Sequence, residues 1–420
     1  MPGTIKLRGA VAAVAIAVAI AAGGALAAVA ADSVDRAQSR PPPTRDVLAV
    51  SNNWDGTIDL VDPHTFKRLK RINIVPDRDE RMAEIATSPD KLGFFLAIRQ
   101  QIGEGHDQLV DDAFTSRDGR FIYVSRPSFA DVVAISMRSG RIVWRTPVEG
   151  YRSDHMAISA NGKRLLVSAS TANVVHEIDT RNGKIIGSFP SGDSPHENNF
   201  SKDGKRIYHA SIGRVYTPTD DPSQEASKGD VRFEIVNART LKVIKTLDMG
   251  EELQKAGYPD MSSAVRPMTF SPNERFLYFQ VSFFHGFVEY DLKRFRVTRV
   301  AVLPESQEAQ GLSRQDYILD SAHHGIAMNK RGTKLCVAGT MDDYAAIVSR
   351  KTFRYKIIQV GDRPYWSTRS ADGRYCFVSV SGDDRVSVIS YRLRKQIASI
   401  PVGDHPQRMR TGVIRRAFLR

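Results

Sequence analysis

Apolar and polar residues alternate with period two in short runs along most of the chain, and turn residues bound each run, the pattern of half-buried β-strands. Ile122-Tyr123-Val124-Ser125, Leu165-Leu166-Val167-Ser168 and Cys376-Phe377-Val378-Ser379 are copies of one such strand. The turns before them carry Asp118-Gly119, Asn161-Gly162 and Asp372-Gly373, and Asp203-Gly204, Glu274 and Arg331-Gly332 hold the same place in three further copies. Where nothing is inserted the copies recur at about 42 residues, the length of one four-stranded propeller blade. The pattern predicts an all-β, seven-bladed propeller: six copies and a seventh blade shared by the two chain ends. In that shared blade Val47 to Asn52, Thr57 to Val61 and Arg68 to Val75 supply three strands. Gln407 to Ile414 supplies the innermost one, which closes the ring and leaves no open edge.

The stretch from Gly361 to Pro406 begins on Gly361-Asp362-Arg363-Pro364 and ends on Gly403-Asp404-His405-Pro406, so it is one repeat unit. Inside it Ser370-Ala371-Asp372-Gly373-Arg374 leads into Tyr375-Cys376-Phe377-Val378-Ser379. A Gly-x-x-Pro connector, a Ser-x-Asp-Gly-Lys/Arg turn and a Tyr-Val-Ser strand together resemble the YVTN-repeat β-propeller family, over nearly all of residues 46 to 412. The resemblance implies a fold and leaves the activity open. Relatives and neighbours of that family include surface-layer proteins, lactonase-like enzymes, the haem-d1 propeller of nitrite reductase and amine dehydrogenase heavy chains.

Insertions are confined to particular loops. Connectors between blades are long at Asp77 to Asp107, Glu251 to Val265 and Pro304 to Ala322, and Gly213 to Asp230 separates the second and third strands of its blade. In a propeller all of these emerge on one face, so they decorate one mouth of the central channel, as loops bearing function on a rigid scaffold do. Asp90 to Ile102, Glu251 to Ala256 and Ser313 to Leu319 are predicted to be short helices covering that mouth.

The residues after each connector start the innermost strands and can look into the channel. The first column reads Asp154, His196, Arg266, His324, Tyr365 and Gln407, and the next reads His155, Glu197, Pro267, Gly325, Trp366 and Arg408. His323 and His405 lie just outside, His106-Asp107 ends the first long connector, and His285 lies in a loop on the same face. Imidazoles converging from separate blades offer neutral nitrogen donors on rigid strands. His106, His155, His196, His323, His324 and His405 are therefore the expected ligands of copper or iron, or contacts to a haem. Glu197, Asp154 and Asp107 are the expected catalytic carboxylates, as general base, ligand or imidazole-orienting partner. Tyr365 and Trp366 can stack on a flat small molecule, and Arg266 and Arg408 can pair with its carboxylate or phosphate. A metal-free pocket, a water-filled channel on a non-catalytic envelope scaffold, and a lactonase-like hydrolase using Glu197, Asn198 and Asn199 around Ca²⁺ are the alternatives. His64, His176 and His209 are set aside as turn or strand histidines, and Trp54 and Trp144 as packing residues.

Lys6 and Arg8, an Ala/Val/Ile run from Ala10 to Ala21 and small residues ending at Ala30 form the three-part pattern of a secretory signal over residues 1–30. An uncleaved anchor is the alternative; either reading places the propeller outside the cytoplasm. Residues 31–45, with Pro41-Pro42-Pro43, read as a stiff linker, and 46–420 as a single domain. Cys336 and Cys376 are expected as two buried free thiols, because packed sheets lie about 10 Å apart and a disulfide needs Cα atoms within about 7 Å. The formal charge of +13 is dispersed over strand edges and turns, and no nucleic-acid motif accompanies it. It suits an anionic envelope polymer or membrane surface better than nucleic acid. Oligomeric state leaves no trace in the sequence.

Overall fold

The computed structural model describes residues 43–419. The expected signal segment and most of the linker lie outside the described residues. The linker's last two residues, Thr44 and Arg45, already belong to the first strand, Thr44–Asn52.

Seven four-stranded antiparallel sheets form the seven blades of the propeller. Blade 1 joins the chain ends in the order Pro406–Arg415, Thr44–Asn52, Thr57–Val61, Arg68–Asn73, with the C-terminal segment innermost as predicted. Blades 2 to 7 begin on innermost strands Ala113–Thr115, Ser153–Ile158, Pro195–Phe200, Val265–Phe270, Ile326–Met328 and Pro364–Arg369, in that order. Both middle strands of each blade are almost wholly buried, while each outermost strand is exposed or half-buried apart from one buried residue at or near its end. The core is a set of apolar layers between successive blades. Leu48, Val50 and Met409 of blade 1 pack with Phe377, Val386 and Val388 of blade 7, for example.

The recurring turn has a physical cause. In Ser116-Arg117-Asp118-Gly119 the serine hydroxyl accepts from the backbone N–H of Arg120 and Phe121, and Gly119 takes φ +66°. Ser159, Ser201, Ser271 and Ser370 repeat this arrangement. A short side chain with an acceptor oxygen and a residue tolerant of positive φ are therefore needed at fixed positions, Asn329 taking the place of serine in blade 6.

Cys336 and Cys376 are joined by a disulfide, with Cα atoms 6.5 Å apart, which corrects the expectation of free thiols. Blades are set radially. Their second strands, close to the axis, approach more closely than the face-to-face spacing of parallel layers.

The first insertion forms two helices, α1 (Arg78–Ala86) and α2 (Pro89–Gln101), and the third forms α3 (Met249–Lys255). Ser313 to Leu319 is two 3₁₀ turns rather than a helix. On α2 only Phe95 and Ile98 turn inward; Leu92, Phe94 and Leu96 are exposed. Asp77 ties this insertion to the scaffold by pairing with the buried Arg126, which also holds Asp131. The insertions over blades 4 to 6 are linked to one another: Arg314 pairs with Asp220 and Glu225, and Lys228 with Asp320 at 2.9 Å.

Candidate metal centre

Each blade contributes one residue to a buried ring on the propeller axis. In blade order they are Arg408, Asp111, His155, His196, Arg266, His324 and Tyr365, none more than 6% exposed. All lie at or just before the start of an innermost strand, so chain direction alone brings them to one level of the channel.

His155 and His196 stand with ring centroids 3.6 Å apart, and His324 lies 6.4 and 6.0 Å from them. One ligand atom each from Asp154, His155 and His196 fall within 4.8 Å of one another. His155 Nδ1 is 3.2 Å from Glu197 Oε2, and its Nε2 is 3.4 Å from Asp154 and 3.7 Å from Asp111. The Arg408 guanidinium abuts the His155 ring and stacks 3.9 Å over Trp366. Tyr365 stacks on His324 at 4.1 Å. That contact needs Gly325: a Cβ there would sit 2.7 Å from the Tyr365 carbonyl oxygen.

Several polar atoms in this ring lack hydrogen-bond partners among the described residues. They are His196 Nδ1, both ring nitrogens of His324, Asp111 Oδ2, Arg266 Nη2, and Arg408 Nε and Nη1. Buried polar groups are normally satisfied, so these atoms are open to a ligand, an ion or ordered water.

Burial sets the charge states. It holds His155, His196 and His324 well below the usual imidazole range, with the Arg408 and Arg266 guanidinium groups adding to the effect. All three are neutral at pH 7, the form in which imidazole binds a metal. Burial pushes Asp111 up to about 8 against the opposing charge of Arg408, so at neutral pH it carries a proton. Glu197 is also raised by burial, again opposed by Arg408. Asp112 stays low despite its burial because Arg410 grips it in a two-pronged pair at 2.8 and 2.7 Å.

The structure gathers His155, His196, His324, Asp154, Glu197, Arg266, Tyr365, Trp366 and Arg408. It does not gather the rest of the expected site. The chain bends at His323, ahead of the strand Ile326–Met328, and His323 turns away from the axis to Asp342 at 2.8 Å. His106 and His405 sandwich Trp54, each with ring centroids 3.8 Å from the indole, so the indole lies between them where a shared ion would have to sit. Asp107 anchors α2 through Arg99 at 2.6 Å. Asn198 faces away from Glu197, donating to Ser168 and meeting His209, while Asn199 donates to Glu197 at 3.0 Å. His209, buried, bonds to Ser191 and Asn198. Asp111 and Arg152 are site residues that the sequence columns missed, Arg152 through its 2.7 Å pair with Asp154. The signal for Asp111 is its place two residues before the innermost strand of blade 2, beyond the end assigned to the long connector.

A cavity of about 580 Å³ opens on the face of the Ser-x-Asp-Gly turns, lined by Asn329, Thr368 and Arg410, and reaches Glu197 and Trp366. The approach to Glu197 and Trp366 is thus from the face of the Ser-x-Asp-Gly turns.

No family model matches the sequence, and no curated protein matches it. Among solved structures, hydrazine synthase of Kuenenia stuttgartiensis is 16% identical with a TM-score of 0.55, covering 74% of this chain and 96% of that one. The dihydro-haem d1 dehydrogenase NirN, in complex with DHE, is 12% identical with a TM-score of 0.47, covering 86% of this chain and 66% of that one. The hydrazine synthase match establishes a shared propeller fold and nothing finer.

Proposed function

We propose that this chain is an extracytoplasmic propeller enzyme of the YVTN-repeat type, with one transition-metal ion, copper or iron, held on its axis by Asp154, His155 and His196 with His324 alongside. The observation that carries the reading is the convergence of three ligand atoms within 4.8 Å, beside imidazole nitrogens that have no other partner. The close packing of the three rings favours a bare ion over a haem macrocycle between them.

A bound copper or iron ion would supply one-electron chemistry and a Lewis acid. The chain's own residues do the rest. Arg266 and Arg408 have free guanidinium nitrogens for a carboxylate or phosphate on a small-molecule substrate. Tyr365 and Trp366 flank its flat face, Glu197 accepts a proton, and the protonated Asp111 gives one up. Burial excludes bulk water, which strengthens each of these interactions. The redox assignment is in keeping with hydrazine synthase sharing the fold, although the likeness itself speaks only to fold.

A buried disulfide supports an oxidising compartment, in line with the signal pattern at 1–30. The charge of +13 supports residence beside an anionic envelope polymer or membrane surface. Reconstitution of the mature protein with Cu²⁺ or Fe²⁺, followed by absorption spectroscopy, tests the reading. It predicts ligand-field or charge-transfer bands that a chelator removes and that shift on adding small carboxylates in wild type but not in Arg408→Ala. Absence of any metal-dependent band would reject it.

A further inference from the structure

His285 and His323 meet over Asp342 at the rim between blades 5 and 6. His285 lies in the loop between the second and third strands of blade 5, His323 ahead of the innermost strand of blade 6, and Asp342 in the 3₁₀ turn Thr340–Asp342. His285 Nδ1 is 2.7 Å and His323 Nε2 2.8 Å from the same carboxylate oxygen, Oδ2. All three ligand atoms lie within 4.8 Å of one another.

We infer that these residues form a second metal centre, for a divalent ion such as Zn²⁺, separate from the one on the axis. Three observations carry the inference. First, two imidazoles and a carboxylate are a complete three-ligand set for zinc with a fourth position left over. Second, the surrounding contacts orient the ligands: Tyr317 Oη lies 3.0 Å from the other nitrogen of His285, and the Ser306 N–H donates to Asp342 Oδ1 at 2.7 Å. Partners of that kind fix imidazole tautomer and carboxylate orientation around metals. Third, the charge is unbalanced. Asp342 is buried and Glu305 lies 3.7 Å from His285 Nε2, yet among the described residues no lysine or arginine comes within 4 Å of either carboxylate. The axial cluster, by contrast, holds Arg408 and Arg266. Asp342 relies on hydrogen bonds from His285, His323 and the Ser306 N–H in place of a cationic side chain, and a divalent ion would supply the missing positive charge.

The two nitrogen–oxygen distances are short for a coordinated ion, whose bonds of about 2.0 to 2.2 Å would part the donors to about 3.3 Å in a tetrahedron. Movements of about half an ångström by His285, on a loop, are enough. This site sits between the insertion at Pro304 to Ala322 and the scaffold, so the ion would fasten that insertion down. It would also hold Tyr317, whose backbone carbonyl accepts from Thr217 of the neighbouring insertion at 3.2 Å.

The test uses the folded wild-type chain, a His285→Gln variant and the axial His196→Ala/His324→Ala variant, each titrated with Co²⁺ as a spectroscopic stand-in for Zn²⁺. The axial variant should develop tetrahedral d–d bands saturating at one equivalent, and these should be absent from His285→Gln. In the axial variant, where the rim is the remaining site, melting temperature should rise with Zn²⁺ and fall with chelator, with the effect lost when His285→Gln is added. If the axial proposal alone fails, wild type binds one equivalent and His285→Gln binds none. If the axial variant shows no bands, or His285→Gln retains wild-type stoichiometry, the rim centre does not exist. Should His285→Gln not fold, the Co²⁺ bands and the chelator shift of the axial variant decide the matter alone.

Discussion

His155 and His196 come from innermost strands of successive blades, and their rings stand 3.6 Å apart at an interplanar angle of 68°. The corresponding positions in the other blades carry a third histidine, His324, with two arginines, an aspartate and a tyrosine. The propeller thus fills seven corresponding positions with four residue types.

The sandwich of Trp54 separates His106 and His405 from the axial cluster. The double variant His106→Ala/His405→Ala should therefore leave bound copper or iron unchanged while lowering stability by about 1 to 3 kcal/mol, for two lost aromatic stacks at about 0.5 to 1.5 kcal/mol each. Metal analysis beside urea denaturation checks this. Loss of metal with stability intact would contradict the arrangement.

Much of this was legible in the sequence because it depends on local signals. Gly119, Gly162, Gly204, Gly332 and Gly373 each mark a turn that requires positive φ, and period-two runs follow them, so blade number and ring closure could be read directly. The column holding His196, Arg266, His324 and Tyr365 was legible for the same reason. What could not be read was which of two adjacent residues faces the axis. His323 and His324 are the same in type, and the bend that turns His323 to Asp342 leaves no mark in the sequence. Asp111 was hidden because blade 2 has an innermost strand of only three residues, Ala113–Thr115, after a long insertion. The distance between Cys336 and Cys376 depends on the radial splay of the blades, a global quantity.

The disulfide closes a loop between residues 40 apart in sequence. The Cys336→Ser/Cys376→Ser variant should lose about 4 kcal/mol of unfolding free energy by the loop-entropy relation. The midpoint of urea denaturation should fall accordingly, and wild type in strong reductant should approach the variant. A difference well under about 1 kcal/mol would show that the bridge contributes nothing to folding stability.

Burial holds His209 down at about 3, whereas in the unfolded chain it titrates near the ordinary imidazole value of about 6.5. Between those values the unfolded state binds the extra proton. Its contribution to stability is complete above about pH 6.5 and drains as pH falls toward about 3, by about 1 kcal/mol per pH unit. In His209→Gln the fall in stability between pH 6 and pH 4 should be shallower than in wild type by about that slope. Equal slopes, from denaturation at several pH values, would mean that His209 is protonated in the fold.

The most direct test of the axial centre is elemental analysis of purified mature protein with its His196→Ala/His324→Ala variant, both shown to be folded by circular dichroism. The account predicts copper or iron in wild type and one equivalent less per chain in the variant, with loss of the associated absorption. A folded wild type that takes up neither metal on reconstitution, or a variant that holds as much as wild type, would contradict it.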